Sequence, residues 1–167
     1  MPRTPPRPLE IFTTLARHGV EFVVVGGTAG VLHGAPLSTW DVEIVHDRST
    51  ANVERLVAAL GDLGASYRDL TDRRLPPNPS LLRGPGHHLF RTRAGDLDVL
   101  GTIAGDLGYE ELASSAIVID TGSVQVKIIA LELLIDVKEK VGRDKDRLAV
   151  LVLRQTLRLI REKKQDE

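Results

Sequence analysis

The sequence predicts an α/β (α+β) domain with a mixed central sheet of about four to six short strands and helices on one or both faces. Three observations predict it. Segments with helical apolar spacing are interleaved with short apolar or alternating segments that suit strands. Breaks bearing glycine and proline separate them. The chain has 167 residues, 42% hydrophobic and 27% charged, enough for one ordinary core and typical of a folded globular protein.

Residues 1–7, MPRTPPR, read as a flexible proline-rich tail, and 8–167 as a single domain. Over 8–18, Leu9, Phe12, Leu15 and Ala16 recur at helical spacing, with Pro8 at the start and Gly19 past the end. EFVVVG (21–26) is a buried strand, too apolar to keep one face in water. Gly26 and Gly27 break it, and TAGVLHG (28–34) forms a short helix that Gly34 and Pro36 stop. In WDVEIV (40–45) acidic and apolar residues alternate, as on a strand. Ser49 or Thr50 caps the next helix, whose buried stripe is Val53, Leu56, Val57, Leu60 and Leu63.

Residues 69–86 contain PPNP and GPG and are expected as a long loop, a candidate lid or acceptor-binding segment. HHLFRT (87–92) and DLDVLG (96–101) flank Arg93-Ala94-Gly95 as a hairpin. A short helix near 109–113 precedes a second hairpin, AIVID (116–120) and VQVKII (124–129), turned at Thr121-Gly122-Ser123. Helices over 130–141 and 144–164 close the chain, and no internal repeat is present.

Composition narrows the function. A net charge of −1 argues against a strongly basic nucleic-acid binder while leaving room for a local patch. With no cysteine there is neither a disulfide framework nor a thiolate metal site. The N-terminus lacks the apolar stretch of a signal peptide, and no run approaches the roughly 18 apolar residues of a membrane span. A soluble cytoplasmic protein without membrane attachment is the expectation.

Side chains alternate across a strand, so Asp41 and Glu43 point together while Trp40, Val42 and Ile44 point the other way. Two neighbouring carboxylates repel, and a shared proton, a cationic side chain or a divalent metal must hold them. Mg²⁺ suits one or two carboxylates plus substrate phosphates. A Gly-Gly break between strand and helix exposes backbone N–H groups that favour phosphate, and Thr28 adds a hydroxyl. The pieces fit a metal–triphosphate site. They do not fit a P-loop, since no lysine lies between Gly26 and Asp41, nor a dinucleotide fingerprint, which GGTAG fails to satisfy. A third acid is expected at Asp98, flanked by Leu97 and Val99 on a later strand, in preference to Asp96 beside the turn.

These motifs resemble the DNA polymerase beta-type nucleotidyltransferase superfamily, whose signature is an apolar residue, Gly-Gly or Gly-Ser, a short spacer, then Asp, apolar, acid, apolar. Here Val25-Gly26-Gly27 is followed, after residues 28–40, by Asp41-Val42-Glu43-Ile44, and LDV around Asp98 matches the third acid. The match extends toward a small prokaryotic branch of minimal nucleotidyltransferases and AbiEii-type toxins, through Gly26-Gly27-Thr28-Ala29, His33-Gly34, Thr39-Trp40-Asp41 and LELLIDVKEKVGRDKDR. The resemblance implies the nucleotidyltransferase fold and Mg²⁺-dependent transfer of a nucleoside monophosphate from a nucleoside triphosphate to an acceptor hydroxyl on RNA, protein or a small molecule. Asp41, Glu43 and Asp98 would be catalytic and would bind two Mg²⁺ ions. Gly26, Gly27, Thr28, Thr39 and Lys138 would bind the nucleotide, ATP among the candidates.

Two positions depart from the branch: Glu43 where aspartate is commoner, and Leu37 where relatives carry arginine. They support an alternative, a catalytically weak or inactive nucleotide-binding or interaction module. Such a module would be part of a toxin–antitoxin pair, with an antitoxin or HEPN-type protein as partner.

Other residues have plainer readings beside functional ones. His33 ends the helix after the glycines and suits either the site or a carbonyl contact. His87 and His88 alternate on a strand and lack a third zinc ligand. Lys127 and Lys138 could both reach a triphosphate. Asp146 suits a cap or a pair with Arg143. Arg154, Arg158 and Arg161 form a basic stripe that suits RNA or simply the wet side of a helix.

Overall fold

The computed structural model describes residues 4–68, 71 and 73–167. Residues 69, 70 and 72 of the loop expected over 69–86 lie outside the described residues, as do residues 1–3 of the tail.

Helix α1 (Pro8–Arg17) starts at the proline and is followed by Gly19 at φ +72°. Its buried side is Ile11, Phe12, Thr14 and Leu15, with Leu9 and Ala16 exposed. The core-facing stripe is therefore rotated from the Leu9–Ala16 spacing, because Ile11 meets the core alongside Phe12 and Leu15. Strand β1 (Phe22–Val25) is buried at every position, and it runs directly into helix α2 (Gly26–Leu32). Strand β2 (Asp41–His46) buries Val42, Ile44, Val45 and His46 and leaves Asp41 and Glu43 half-buried. In helix α3 (Thr50–Asp62) the Ser49 side chain caps the first turn by accepting from the Asn52 N–H.

Strand β3 (Ser66–Tyr67) and helix α4 (Pro79–Leu82) come next. The hairpin β4 (His87–Thr92) and β5 (Gly95–Leu100) turns at Arg93-Ala94, with Gly95 at φ +109°. Helix α5 (Tyr109–Ser115), the hairpin β6 (Ile117–Asp120) and β7 (Gln125–Ile128), and helices α6 (Leu131–Val141) and α7 (Asp144–Gln165) complete the chain.

The fold class is the expected mixed α/β one. The sheet has seven strands, in the order β3-β4-β5-β2-β1-β7-β6, instead of four to six. The extra strand is β3, two residues long, which pairs Ser66 with Arg91 and Tyr67 with Phe90. Two residues carry no alternation to read in a sequence. The expected loop also contains the one-turn helix α4, capped by the Asn78 side chain on the Leu81 N–H.

The centre of the sheet positions the site. β2 is antiparallel to β1 and parallel to β5, with Val25 opposite Glu43 and Glu43 opposite Asp98. Its other side chains, Val42 and Ile44, are fully buried with Leu97 and Val99 of β5 and the stripe of α3. That packing fixes the register, since a slip of one residue would turn the acids into the core. At the near end of the chain, Arg7 N–H donates to the Ala94 carbonyl at 2.8 Å, so residues 4–7 lie against the β4–β5 turn.

Candidate active site

Asp41 and Glu43 of β2 and Asp98 of β5 each offer a carboxylate oxygen, and these oxygens lie within 4.8 Å of one another. The alternation of β2 aims the first two together, and the parallel pairing of β5 brings in the third. Asp96 sits one strand position pair away, opposite Asp41, but turns to Arg68 and Arg91 at 3.6 and 3.9 Å and stays outside the cluster.

The glycine pair is shaped by this cluster. Gly26 adopts φ +67°, and a Cβ there would overlap the Glu43 carboxylate, coming within 2.6 Å of Cδ. A Cβ at Gly27 would come within 2.6 Å of Thr39 Cγ2. Gly26 lets bare backbone approach the Glu43 carboxylate, with the left-handed conformation as a second reason, and Gly27 lets it approach the Thr39 side chain. The buried Thr28 hydroxyl donates to the Asp41 carbonyl at 3.1 Å, tying α2 to the start of β2. Thr39 is half-buried over the turn.

Burial pushes the Glu43 carboxyl above the ordinary range, and the charges of Asp41 and Asp98 push it further; Lys138 and Lys145 oppose this without cancelling it. Asp98 is also raised by burial, against the lowering effect of its hydrogen bond from Arg68. Arg68 donates from Nη2 to Asp98 Oδ1 at 2.6 Å and from Nη1 to the Phe90 carbonyl at 3.0 Å. Sequence reasoning missed this guanidinium. It follows the unrecognised β3, and only the pairing of β3 with β4 brings it beside β5.

The acids open into a cleft of about 480 Å³. Gly26, Glu43 and Asp98 lie at its acidic end, Lys138 of α6, Arg143 of the α6–α7 junction and Asp146 of α7 supply charge, and Leu89, Leu100, Ile103, Val137 and Val141 give it an apolar wall. Lys138 Nζ lies 3.4 Å from Asp146 Oδ1, and Arg143 Nε donates to Asp146 Oδ2 at 3.0 Å. Asp146 thus pairs with two cations rather than with Arg143 alone.

The remaining residues take their plainer roles. His33 Nε2 contacts the Ile129 carbonyl at 2.7 Å. His87 Nε2 meets the Thr102 carbonyl, and His88 Nδ1 meets the Tyr67 hydroxyl. Lys127 lies in a surface network with Tyr109 and Glu21, at 2.9 and 3.2 Å. The basic stripe of α7 is not a free one, because Arg154 pairs with Glu139 and Arg161 with Glu132 of α6.

The donor set is all oxygen and all carboxylate, Glu43 and Asp98 are raised in proton affinity, and among the described residues a single guanidinium, that of Arg68, hydrogen-bonds to it. That is the chemistry of a hard divalent cation site. Among the described residues no helix is long and apolar enough to cross a membrane.

No family model matches the sequence, and no curated protein matches it. Solved structures do. A lincosamide antibiotic adenylyltransferase, LnuA, in its lincomycin-bound form, superposes with a TM-score of 0.62 at 14% identity, over 92% of this chain and 99% of that one. A candidate nucleotidyltransferase from Thermotoga maritima superposes with a TM-score of 0.56 at 15% identity, over 90% of each chain. At such identities the likeness is one of fold, and this chain has the fold of these nucleotidyltransferases.

Proposed function

We propose that the protein is a nucleotidyltransferase that moves a nucleoside monophosphate from a nucleoside triphosphate to the hydroxyl of a small, partly apolar acceptor. The observation that carries the reading is the convergence of Asp41, Glu43 and Asp98 from two strands beside a glycine turn that only bare backbone fits. Asp41, Glu43 and Asp98 would hold Mg²⁺, two ions in this reading, which when bound neutralises phosphate charge and polarises the α-phosphoryl group.

The chain's own residues position the reactants. The Gly26-Gly27 backbone receives the β- and γ-phosphates, Thr28 and Thr39 frame it, and Lys138 and Arg143 stand across the cleft as cations for the triphosphate. Asp98, on the Leu89 side of the cluster, orients the acceptor hydroxyl and takes its proton. A bond forms between the hydroxyl oxygen and the α-phosphorus, the bond to the bridging oxygen breaks, and pyrophosphate leaves. Such a transfer depends mainly on placement and charge neutralisation, which a rigid sheet centre supplies.

The apolar wall favours a small molecule over RNA, whose phosphates would face Leu89, Ile103 and Val141. The lincomycin-bound relative in fold supports the same acceptor class. The test incubates the protein with α-labelled triphosphates, Mg²⁺ and a panel of hydroxylated small molecules, RNA and cell extract. Label is expected on a small molecule and lost in Asp41→Ala. Transfer that persists in Asp41→Ala refutes the site, and nucleotide binding without any transfer assigns the chain instead to the inactive interaction module.

A further inference from the structure

Helix α7 has two apolar sides, and the fold uses one. Asp146, Val150, Leu153 and Thr156 are buried against the rest of the domain. On the opposite side Leu148, Leu151 and Leu159 are 72%, 62% and 49% exposed. With Gln155 they fall at spacings of 3, 4 and 4, one line along a 22-residue helix. Single exposed leucines are ordinary, but an aligned set marks an interaction surface. The line also borders a groove of about 490 Å³, closed on its far side by His33, Gly34 and Pro36 of the turn after α2.

The charges beside the line say what fits there. At about 100° per residue, Arg147 and Arg158 stand along one edge, and Lys163, which lines the groove, stands along the other. Asp144 and Glu162 lie only at the two ends of the line. Arg147 is 3.7 Å from Asp144 in a fully solvated pair, which is worth little. Arg158 and Lys163 have no acidic partner among the described residues. Arg154 and Arg161, by contrast, are turned toward α6 and neutralised there. The helix therefore separates its basic residues into a set spent within the fold and a set framing the leucines.

We infer that α7 and the His33–Pro36 turn form a docking groove for an amphipathic helix of another protein, one with an apolar stripe flanked by carboxylates. A second copy of this chain fits poorly, since a two-fold pairing of the line sets Arg147 and Arg158 near the partner copy's basic edge. A lipid surface fits poorly too, because a concave groove suits inserted side chains better than a flat plane. Helix-in-groove recognition of this kind places three or four apolar anchors at i, i+3 or i+4, and i+7. The groove does not include the acids of the cleft.

The test uses a labelled synthetic helical peptide with leucines at i, i+4 and i+7 flanked by glutamates, beside an otherwise identical lysine-flanked peptide, read by fluorescence anisotropy on the full chain. The glutamate peptide is expected to bind saturably, to weaken with salt, and to bind at least about tenfold more tightly than the lysine peptide. The double variant Leu151→Asp/Leu159→Asp is expected to lose binding by a similar factor while keeping its circular dichroism spectrum and thermal midpoint. Arg158→Glu, a change at an exposed position, guards against misfolding and is expected to narrow or reverse the preference between peptides. Equal binding of the two peptides, undiminished binding by the folded double variant, or no binding at all overturns the proposal. A dimer in light scattering that the double variant abolishes overturns it in favour of self-association. Preferential sedimentation with phosphatidylglycerol vesicles overturns it in favour of a membrane.

Discussion

Asp146 and Glu43 line the same cleft, yet their neighbours leave them shifted in opposite directions. Burial alone would raise Asp146, but the Arg143 hydrogen bond and the Lys138 charge outweigh it and hold its carboxyl below the usual range. Glu43 is raised by burial first, then by Asp41 and Asp98, and the lysines across the cleft do not offset this. The difference separates structural from functional charge. Asp146 is one anion between two cations and is satisfied within the fold. Among the described residues, the triad sets three carboxyl groups beside one hydrogen-bonded guanidinium, that of Arg68, and in the proposed function a bound cation supplies the remaining charge.

The largest expected effect tests the structural member. Asp146→Asn removes the charge that Lys138 and Arg143 share, and Lys138 is mostly buried. The unfolding free energy in urea is expected to fall by about 1–3 kcal/mol, less than for a fully enclosed ion pair because Arg143 faces water. Mg²⁺ is still expected to raise the thermal midpoint of this variant. If Asp146→Asn instead leaves the midpoint of urea unfolding in place and abolishes the response to Mg²⁺, Asp146 belongs to the metal site and the contrast collapses.

The same contrast explains what could be read from the sequence. The acids on β2 were legible because strand alternation is local: residues two apart share a face whatever surrounds them. The glycine pair was legible because a bare-backbone turn has few substitutes. Asp98 was legible through its apolar neighbours, although its meeting with Glu43 depends on the parallel register of β5. Arg68 was not legible, since it is brought in by a two-residue strand whose existence depends on β4. The double pairing of Asp146 was half legible, because Arg143 is three residues away while Lys138 arrives through the packing of α6 on α7. Local geometry was visible, and long-range charge compensation was not.

A smaller effect is expected from the functional member. Glu43→Gln removes one of three mutually repelling carboxylates while keeping the shape that Gly26 accommodates. Without divalent cation the variant is expected to be as stable as the natural sequence or more so, by about 1 kcal/mol at neutral pH. With Mg²⁺ the order reverses: the natural protein gains in proportion to metal binding, and Glu43→Gln gains little. Differential scanning fluorimetry with and without Mg²⁺ reads both halves. A metal-free Glu43→Gln that is destabilised by several degrees would place Glu43 with Asp146, as a charge that the fold needs.

The smallest effect is in the pH dependence, and its sign distinguishes the two acids. Glu43 has a folded pKa above its unfolded value, so the folded protein holds that proton more tightly. Its contribution to stability is fully present below about 4.5, the ordinary glutamate range, and is lost as pH rises through the raised folded value. Asp146 is the reverse: its contribution is present above the ordinary aspartate range and is lost as pH falls through its lowered folded value. The buried histidines act in a third window. His46 and His88 are both held below their ordinary value by burial, so they cost stability as pH falls below about 6.5 in every variant that keeps them. Subtracting variants cancels that shared background. In metal-free buffer, the stability of the natural protein relative to Glu43→Gln is expected to improve on acidification from neutral pH toward 4.5, whereas relative to Asp146→Asn it is expected to hold steady there and to worsen only at lower pH. Two difference curves of the same slope would mean that the carboxylates of the cleft titrate as one group, and that no line divides those satisfied by the fold from those left for a cation.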